Sequence, residues 1–523
     1  MVRLKHELFV RMMIHKIGYL WRNQKSSGSK LKSWTNGMIG SILISLVLMA
    51  CQPKGLAVPV IQATPTNRGL LAEIPTAIVT SLPARPIYSP GELVEYTAQT
   101  GDTLVALASR FNTTVAEILE ANPFIPPDAT TMPPGMPMRI PIYYRPFWGS
   151  PYQIIPDSLF INGPAQVNFD TAAFVAEQPG WLNGYVEYAF GGNRTGAEIV
   201  DYVAQQFSVS PRLLLTLLEY QASALSQAEK PADLGFYVLG KEDYRYRGVY
   251  LQLVWAVNLL NDGYYRYRTG ELREFEHLDG RIERTDPWQN AATISLHFYF
   301  SHFLDGEVYL KAVAYDGLAE AYLKFLGDRG EAEVPHIPGS LVQPELTLPF
   351  APGLTWAYTG GPHTAYGTAA PFAALDFAPG AISGGCTPSE EWVTAVAPGV
   401  VARSEVGTVV LDLDGDGDER TGWVIFYFHI GTDGRAATGK VLQTGDPIGY
   451  PSCEGGRATG THVHIARKYN GEWVLADGVL AFNLEGWIAH NGSRAYVGTL
   501  TRAGRTVIAC DCADAGSFIE SGK

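Results

Sequence analysis

At 523 residues the chain is too long to close around one hydrophobic core, and its 46% hydrophobic and 17% charged residues are those of ordinary globular protein, so two to four domains are expected. The formal net charge of −13 is uneven: residues 1–51 hold eight Lys or Arg against one acid, which leaves −20 on the remainder. A remainder that acidic repels phosphates and excludes nucleic acid as an expected partner.

The basic lead runs into MIGSILISLVLMAC, residues 38–51, an apolar stretch too short for a comfortable membrane span and suited to a secretory signal. Its end, Leu48-Met49-Ala50-Cys51, resembles a bacterial lipoprotein box, although Met49 stands where a small or branched residue is usual. The resemblance implies cleavage before Cys51 and lipidation of it; an uncleaved anchor helix is the alternative. Either way the chain is expected to be exported, attached to the membrane and facing the cell wall or the outside. Four further cysteines, Cys386, Cys453, Cys510 and Cys512, are an even number in an exported chain and read as disulfides. Cys386 and Cys453 flank the candidate site of the C-terminal third and are the preferred pair, with connectivity left open by sequence.

Residues 52–92 are rich in Pro, Thr and Ala without sustained period and read as a tether. Residues 93–143 read as strand, Gly-Asp turn, helix, helix and closing strand, with Asn122-Pro123 stopping the second helix. The pieces YTAQTGDTL, A-x-x-F, I-L-x-A-N-P and PPG-x-x-x-x-IP resemble a LysM domain, in family order. The resemblance implies a βααβ fold that binds N-acetylglucosamine glycans such as peptidoglycan near Gly101, Asp102, Thr103, Asn122 and Pro123.

Residues 160–330 carry long helical periods and read as an all-α domain. The segment around SVSPRLLLTLLEYQAS weakly resembles the active-site helix of lytic transglycosylases, which implies a degenerate lysozyme-like domain as one option and an incidental helix as the other. Gln221 falls where the catalytic glutamate belongs, and an amide has no proton to deliver. Glu219 is two positions early and faces elsewhere on the helix. His297 and His302, five apart, are read as core histidines rather than metal ligands.

From 345 to 523, short apolar runs punctuated by Gly and Pro read as a β-dominated domain. His462 and His464 in GTHVHIARK alternate on a strand and so face one side. His429 ends the strand YFHI, His363 lies in GPHTAYG, and Asp376 lies in AALDFAPG. LDFAPG, VTAVAPGVV, YFHI, TGDPIG and ATGTHVHI together resemble the M23 (lysostaphin-type) zinc metallopeptidases. The resemblance implies a zinc ion held by His363, Asp376 and His464, with His429 and His462 as non-ligand catalytic histidines. Most of that family sets its first ligand four residues before the aspartate, where this chain has Phe372. The thirteen residues from His363 to Asp376 match the β-lytic or staphylolytic branch instead. Two imidazoles and a carboxylate leave a fourth zinc position for water.

The stretch DLDGDGDERTGW alternates Asp412, Asp414, Asp416 and Asp418 and begins like an EF-hand loop, but its twelfth place is Trp423. A calcium-stabilised hairpin tip and a solvated acidic turn both remain open. His277, His336 and His490 lack ligand-spaced neighbours. The whole reads as a multidomain zinc endopeptidase of peptidoglycan stem or cross-bridge peptides, anchored to wall glycan by the LysM module. A non-catalytic wall-binding scaffold that activates other hydrolases is the alternative, and glycan cleavage by the central domain a weaker third.

Overall fold

The computed structural model describes residues 85–143, 148–327, 335–380, 384–512 and 514–522. The lead segment, Cys51 and the tether up to residue 84 lie outside the described residues. No helix among the described residues is long and apolar enough to cross a membrane.

Strand β1 (Glu92–Thr97), helices α1 (Leu104–Arg110) and α2 (Val115–Ala121) and strand β2 (Pro137–Ile142) form the first module, its strands paired antiparallel. Each helix begins at a threonine whose hydroxyl accepts a first-turn N–H, and Thr114 with Glu117 completes a capping box. Leu104, Leu107, Phe111 and Ile118 recur at helical spacing and pack on Tyr96, Met138 and Ile140.

The central region is built on α3 (Gly196–Phe207), α4 (Pro211–Ala222), α5 (Val249–Arg268), α6 (Ala291–Ser301) and α7 (Leu318–Leu326). It is not all-α. Two hairpins interrupt it, Val186–Ala189 with Gly192–Thr195 and Glu274–Glu276 with Ile282–Arg284. Gly191 and Gly280, at φ 90° and 81°, turn these hairpins. Strands this short carry too few residues for a period-2 signal. His297 is buried as expected, whereas His302 lies exposed at the end of α6 because the helix stops there.

The C-terminal domain begins with β3 (Thr355–Thr364), β4 (Phe372–Pro379), β5 (Gly399–Glu405), β6 (Gly407–Asp412) and β7 (Trp423–Ile430). It continues with β8 (Val441–Leu442), β9 (Val463–Tyr469) and β10 (Glu472–Val474). A separate four-stranded sheet follows, β11 (Asn483–Leu484), β12 (Trp487–Asn491), β13 (Gly498–Arg502) and β14 (Arg505–Ile508), and β15 (Phe518–Glu520) returns to the first. The large sheet has nine strands in the order β8-β5-β6-β7-β9-β4-β3-β15, with β10 paired to β9.

Alternation divides this sheet cleanly. Leu375, Phe377, Ile425, Tyr427, Val463 and Ile465 fill the core of the C-terminal domain. Ala374, Val410, Val424, Phe426, Phe428 and Ala466 face the other way, into a core shared with the helices. Asp376 and His464 belong to that second face by register.

One charge cluster ties the three parts together. The buried Glu472 carboxylate accepts from Arg268 at 2.7 Å and Tyr264 at 3.0 Å, both on α5, and meets His336 Nε2 at 2.7 Å. Arg268 also lies 3.9 Å from Asp157 and donates to the Thr100 carbonyl of the first module. Burial pushes the Glu472 pKa up, but Arg268 and His336 outweigh it and hold it at about 2. The substitution Glu472→Ala removes the nearer carboxylate of the buried Arg268, leaving it only Asp157 at 3.9 Å, and is expected to destabilise by about 3 kcal/mol. A urea midpoint equal to wild type would show that the cluster does not hold the domains together.

Candidate metal centre

Asp376 on β4 sits directly opposite His464 on β9. On the other side of β4, the pairing of β3 slips between Tyr358 and Gly360 and again between Gly360 and His363. Each slip inserts one extra residue, so the two cancel in parity: His363 keeps the Asp376 face, opposite Tyr358, but is drawn two places along β4 to pair with Ala374 rather than Phe372. Gly360 must be glycine: a Cβ there would lie 2.4 Å from Asp376 Oδ2.

Three atoms converge on one point. His363 Nε2 is 3.0 Å from His464 Nδ1, and each nitrogen is 3.3 Å from Asp376 Oδ1. The far nitrogens are committed, because His363 Nδ1 donates to the Gly361 carbonyl at 2.8 Å and His464 Nε2 to the Ala365 carbonyl at 2.9 Å. A carbonyl can only accept, so those nitrogens carry the hydrogens and the inward nitrogens of neutral rings present lone pairs. Asp376 Oδ1 is buried and has no hydrogen-bond partner. Two imidazole lone pairs and an orphaned carboxylate oxygen, mutually within 4.8 Å, fit a divalent metal ion.

Burial disfavours a charged His363, but the adjacent Asp376 carboxylate outweighs it and raises the His363 pKa. Burial likewise opposes ionisation of Asp376, yet His363 and His462 hold it well below the usual carboxylate range. His464 moves down, chiefly through burial.

His429 reaches the site against the alternation of its strand. Phe428 already faces the shared core, so the next residue is due on the opposite side. A bulge opposite Gly407-Thr408 and a φ of 61° at His429 turn it back. Its Nδ1 donates to the Glu454 carbonyl at 2.8 Å, and His462 Nδ1 donates to the Gly460 carbonyl at 2.7 Å. The two rings lie 4.6 Å apart, with His462 Nε2 3.8 Å from Asp376 Oδ1. The His462 side chain is 16% exposed, against 2% for His363 and 8% for His464, so the site opens at His462. Burial, then the neighbouring His462 and His464, push the His429 pKa down to about 3.

Sequence reasoning missed Tyr496. Its ring stacks on His363 at 4.1 Å and its carbonyl accepts from Gly361 N at 2.9 Å. It sits in an irregular turn with no motif around it, so no local signal marks it. Cys386 is bonded to Cys453 and Cys510 to Cys512. The first bond borders the site, where Gly385 accepts from Thr461 N at 2.9 Å.

The other singled-out residues stand apart from this centre. Asp102 is buried and accepts from Tyr96, Gln99 and Arg110, and Asn122 is buried and bonded to Ile118 and Arg139. Gly101 packs under Arg268 and Thr103 caps α1, so only Pro123 of the five is exposed. The first module's loops also grip their own chain, with Thr100, Thr130 and Thr131 bonded to Ile337, Pro338 and Leu341. Glu219 accepts from Leu225 N, Ser226 N and the Ser226 hydroxyl, and Gln221 donates to Tyr299. Neither is available for acid catalysis, since Glu219 closes its helix end against the following turn and Gln221 is tied to α6. Asp412, Asp414 and Asp416 converge, but Asp418 is turned to Arg420. Asp412 binds the amides of residues 414, 415 and 417, which closes the turn from within.

Comparison with known proteins follows the same division. The family model described as LysM domain matches residues 96–141, and that described as LasA, N-terminal domain, matches residues 153–336. The chain is multidomain, with a LysM domain followed by a LasA N-terminal domain. It is 22% identical over 340 residues to Protease LasA of Pseudomonas aeruginosa (strain UCBPP-PA14), covering 62% of this chain and 75% of that protein. Among solved structures, the M23 metalloprotease pseudoalterin, described as from the deep sea, is 26% identical over 32% of this chain and 96% of its own, with a TM-score of 0.28. The catalytic domain of lysostaphin from Staphylococcus simulans is 19% identical over 24% of this chain and 89% of its own, with a TM-score of 0.17.

The neutral His429 gives a pH signature. Its folded pKa of about 3 lies below the unfolded value near 6.5. The unfolded chain therefore takes up the proton first, and this contribution to stability is complete above pH ~6.5 and lost as pH falls toward 3. In EDTA, the wild-type melting temperature is expected to fall more steeply from pH 7 to pH 4 than that of His429→Gln; parallel curves contradict a buried neutral ring.

Proposed function

We propose that this protein is an exported, zinc-dependent endopeptidase that hydrolyses peptide bonds of peptidoglycan stems or cross-bridges, held to wall glycan by its LysM domain. The observation that carries the reading is the convergence of His363 Nε2, His464 Nδ1 and the orphaned Asp376 Oδ1, with two further histidines alongside. Similarity to Protease LasA and the presence of a LysM domain support a peptidase that works on peptidoglycan.

His363, Asp376 and His464 would hold the zinc. When bound, the ion supplies a Lewis acid for the scissile carbonyl and makes water acidic enough to attack near neutral pH. The remaining work belongs to the chain. His429 stays neutral with its Nε2 lone pair free, because Nδ1 is committed to Glu454, and it accepts a proton from the attacking water. His462, at the solvent-open edge, would turn its Nε2 toward the oxyanion or the departing amine. The glycan-cleaving reading has no support, since Glu219 is consumed by backbone amides. A non-catalytic scaffold needs no complete donor set, and the three convergent donors favour the enzyme.

The anchor is proposed at Cys51, and Cys51→Ala is expected to move the protein from the membrane to the soluble fraction; unchanged partition refutes lipidation. For the site, wild type should bind about one zinc per chain and lyse purified cell walls. His363→Ala should lose both, whereas His429→Ala should keep the zinc and lose about 10²–10⁴-fold in rate. Full zinc content and full lysis in His363→Ala would sink the assignment.

A further inference from the structure

The thirteen-residue spacing between His363 and Asp376 places a loop, residues 365–371, between β3 and β4, and that loop leaves its own domain. Its first residue touches the metal centre: the Ala365 carbonyl accepts the Nε2–H of His464 at 2.9 Å. This bond decides which His464 nitrogen faces inward as a lone pair.

The rest of the loop is held by helices of the central domain. Tyr366 inserts between Phe207 at the end of α3 and Phe426 and Phe428 of β7, and its hydroxyl pairs with Tyr202. Gly367 takes φ +83°, and a Cβ there would lie 2.5 Å from Phe207 and 2.8 Å from Asn258 Oδ1. Asn258 on α5 accepts from the Thr368 amide at 2.8 Å and its hydroxyl at 3.1 Å. One helical turn on, Asp262 accepts from Ala370 N at 3.4 Å, and a further turn on, Arg266 pairs with Asp262 at 3.3 Å. Residues four apart share one helix face, so Asn258, Asp262 and Arg266 form a ladder against the loop. The Asn258 amide is itself fixed, because Nδ2 donates to Val254 O at 2.6 Å and leaves Oδ1 aimed outward.

We infer that Asn258, on a different domain from every metal donor, is a positioning residue for the metal centre: it pins the 365–371 loop so that the Ala365 carbonyl holds His464 with Nδ1 facing His363 and Asp376. The central domain is thereby a working part of the centre rather than a neighbour of it. The inference rests on the reading of His363, Asp376 and His464 as metal donors. It does not depend on which bond the enzyme cleaves.

The test uses the full chain with Co2+ or Zn2+ as the probe. Asn258→Ala removes the acceptor of two partly exposed hydrogen bonds, so the fold should survive with a melting temperature in EDTA close to wild type. Zinc affinity, by competition with a chromogenic chelator, should fall severalfold, up to the about 10-fold lower end seen when a group bonded directly to a ligand is removed. The visible spectrum of bound Co2+ should change in intensity or position. Asn258→Asp keeps an acceptor for both Thr368 donors and should recover most of the affinity, a rescue that general loosening of the domain contact does not give. Wild-type affinity and spectrum in Asn258→Ala overturn the inference while leaving the metal centre standing. Failure of the wild-type protein itself to bind Co2+ or Zn2+ overturns both. If Asn258→Ala does not fold, Thr368→Val, which removes one of the two bonds, should show a smaller affinity loss; no loss overturns the inference.

Discussion

Three lone pairs aimed at one point repel each other unless positive charge lies between them. His363 Nε2, His464 Nδ1 and Asp376 Oδ1 lie 3.0–3.3 Å apart in a buried pocket, and backbone carbonyls prevent either ring from turning its N–H inward. That constraint organises the C-terminal domain. Two bulges in β3, a bulge and a left-handed residue in β7, and a glycine with no space for a methyl group all bring side chains to this point. Each departs from regular sheet geometry, and such departures persist where the surrounding packing over-determines them.

The same sheet face serves two ends. Near β9 and β4 it presents His464 and Asp376; along β6 and β7 it presents Val410, Val424, Phe426 and Phe428 to the helices. The domain matched by the LasA N-terminal family therefore packs on the face that carries the metal donors, not on the back of the sheet. The least buried of these groups is His462, so the site opens to solvent at that edge. Buried charge reinforces the arrangement. Glu472, Arg268 and His336 come from three separated segments, and Arg268 and His336 together hold the buried Glu472 carboxylate ionised.

Much of this was legible in sequence because it is periodic or local. The βααβ order of residues 93–143 follows from helical spacing, threonine caps and a Pro stop, all short-range signals. The i, i+2 spacing of His462 and His464 brings both to one site, and the Cys386–Cys453 pair expected on chemical grounds is formed. Other features were not legible, for physical reasons. Asp102 and Asn122 look like exposed turn residues but fold inward, because a short polar side chain in a tight loop satisfies its own backbone first. The two short hairpins of the central region have too few residues to declare a period.

Sequence by itself determined the domain order, the export signal as an expectation, and the residue types of the centre, since these depend on composition, spacing and strand alternation. Only the tertiary structure decided that His363, thirteen residues from Asp376, shares its pocket, because two bulges shift the register of β3 by two places and leave no periodic trace. It alone decided that His429 turns into the site against the parity of β7, and that Tyr496 covers His363 from a remote turn. It alone showed that Asn258, Phe207 and Tyr202 grip the loop between two metal donors. These are contacts between residues far apart in the chain, set by how domains pack, and neither local propensity nor spacing encodes them.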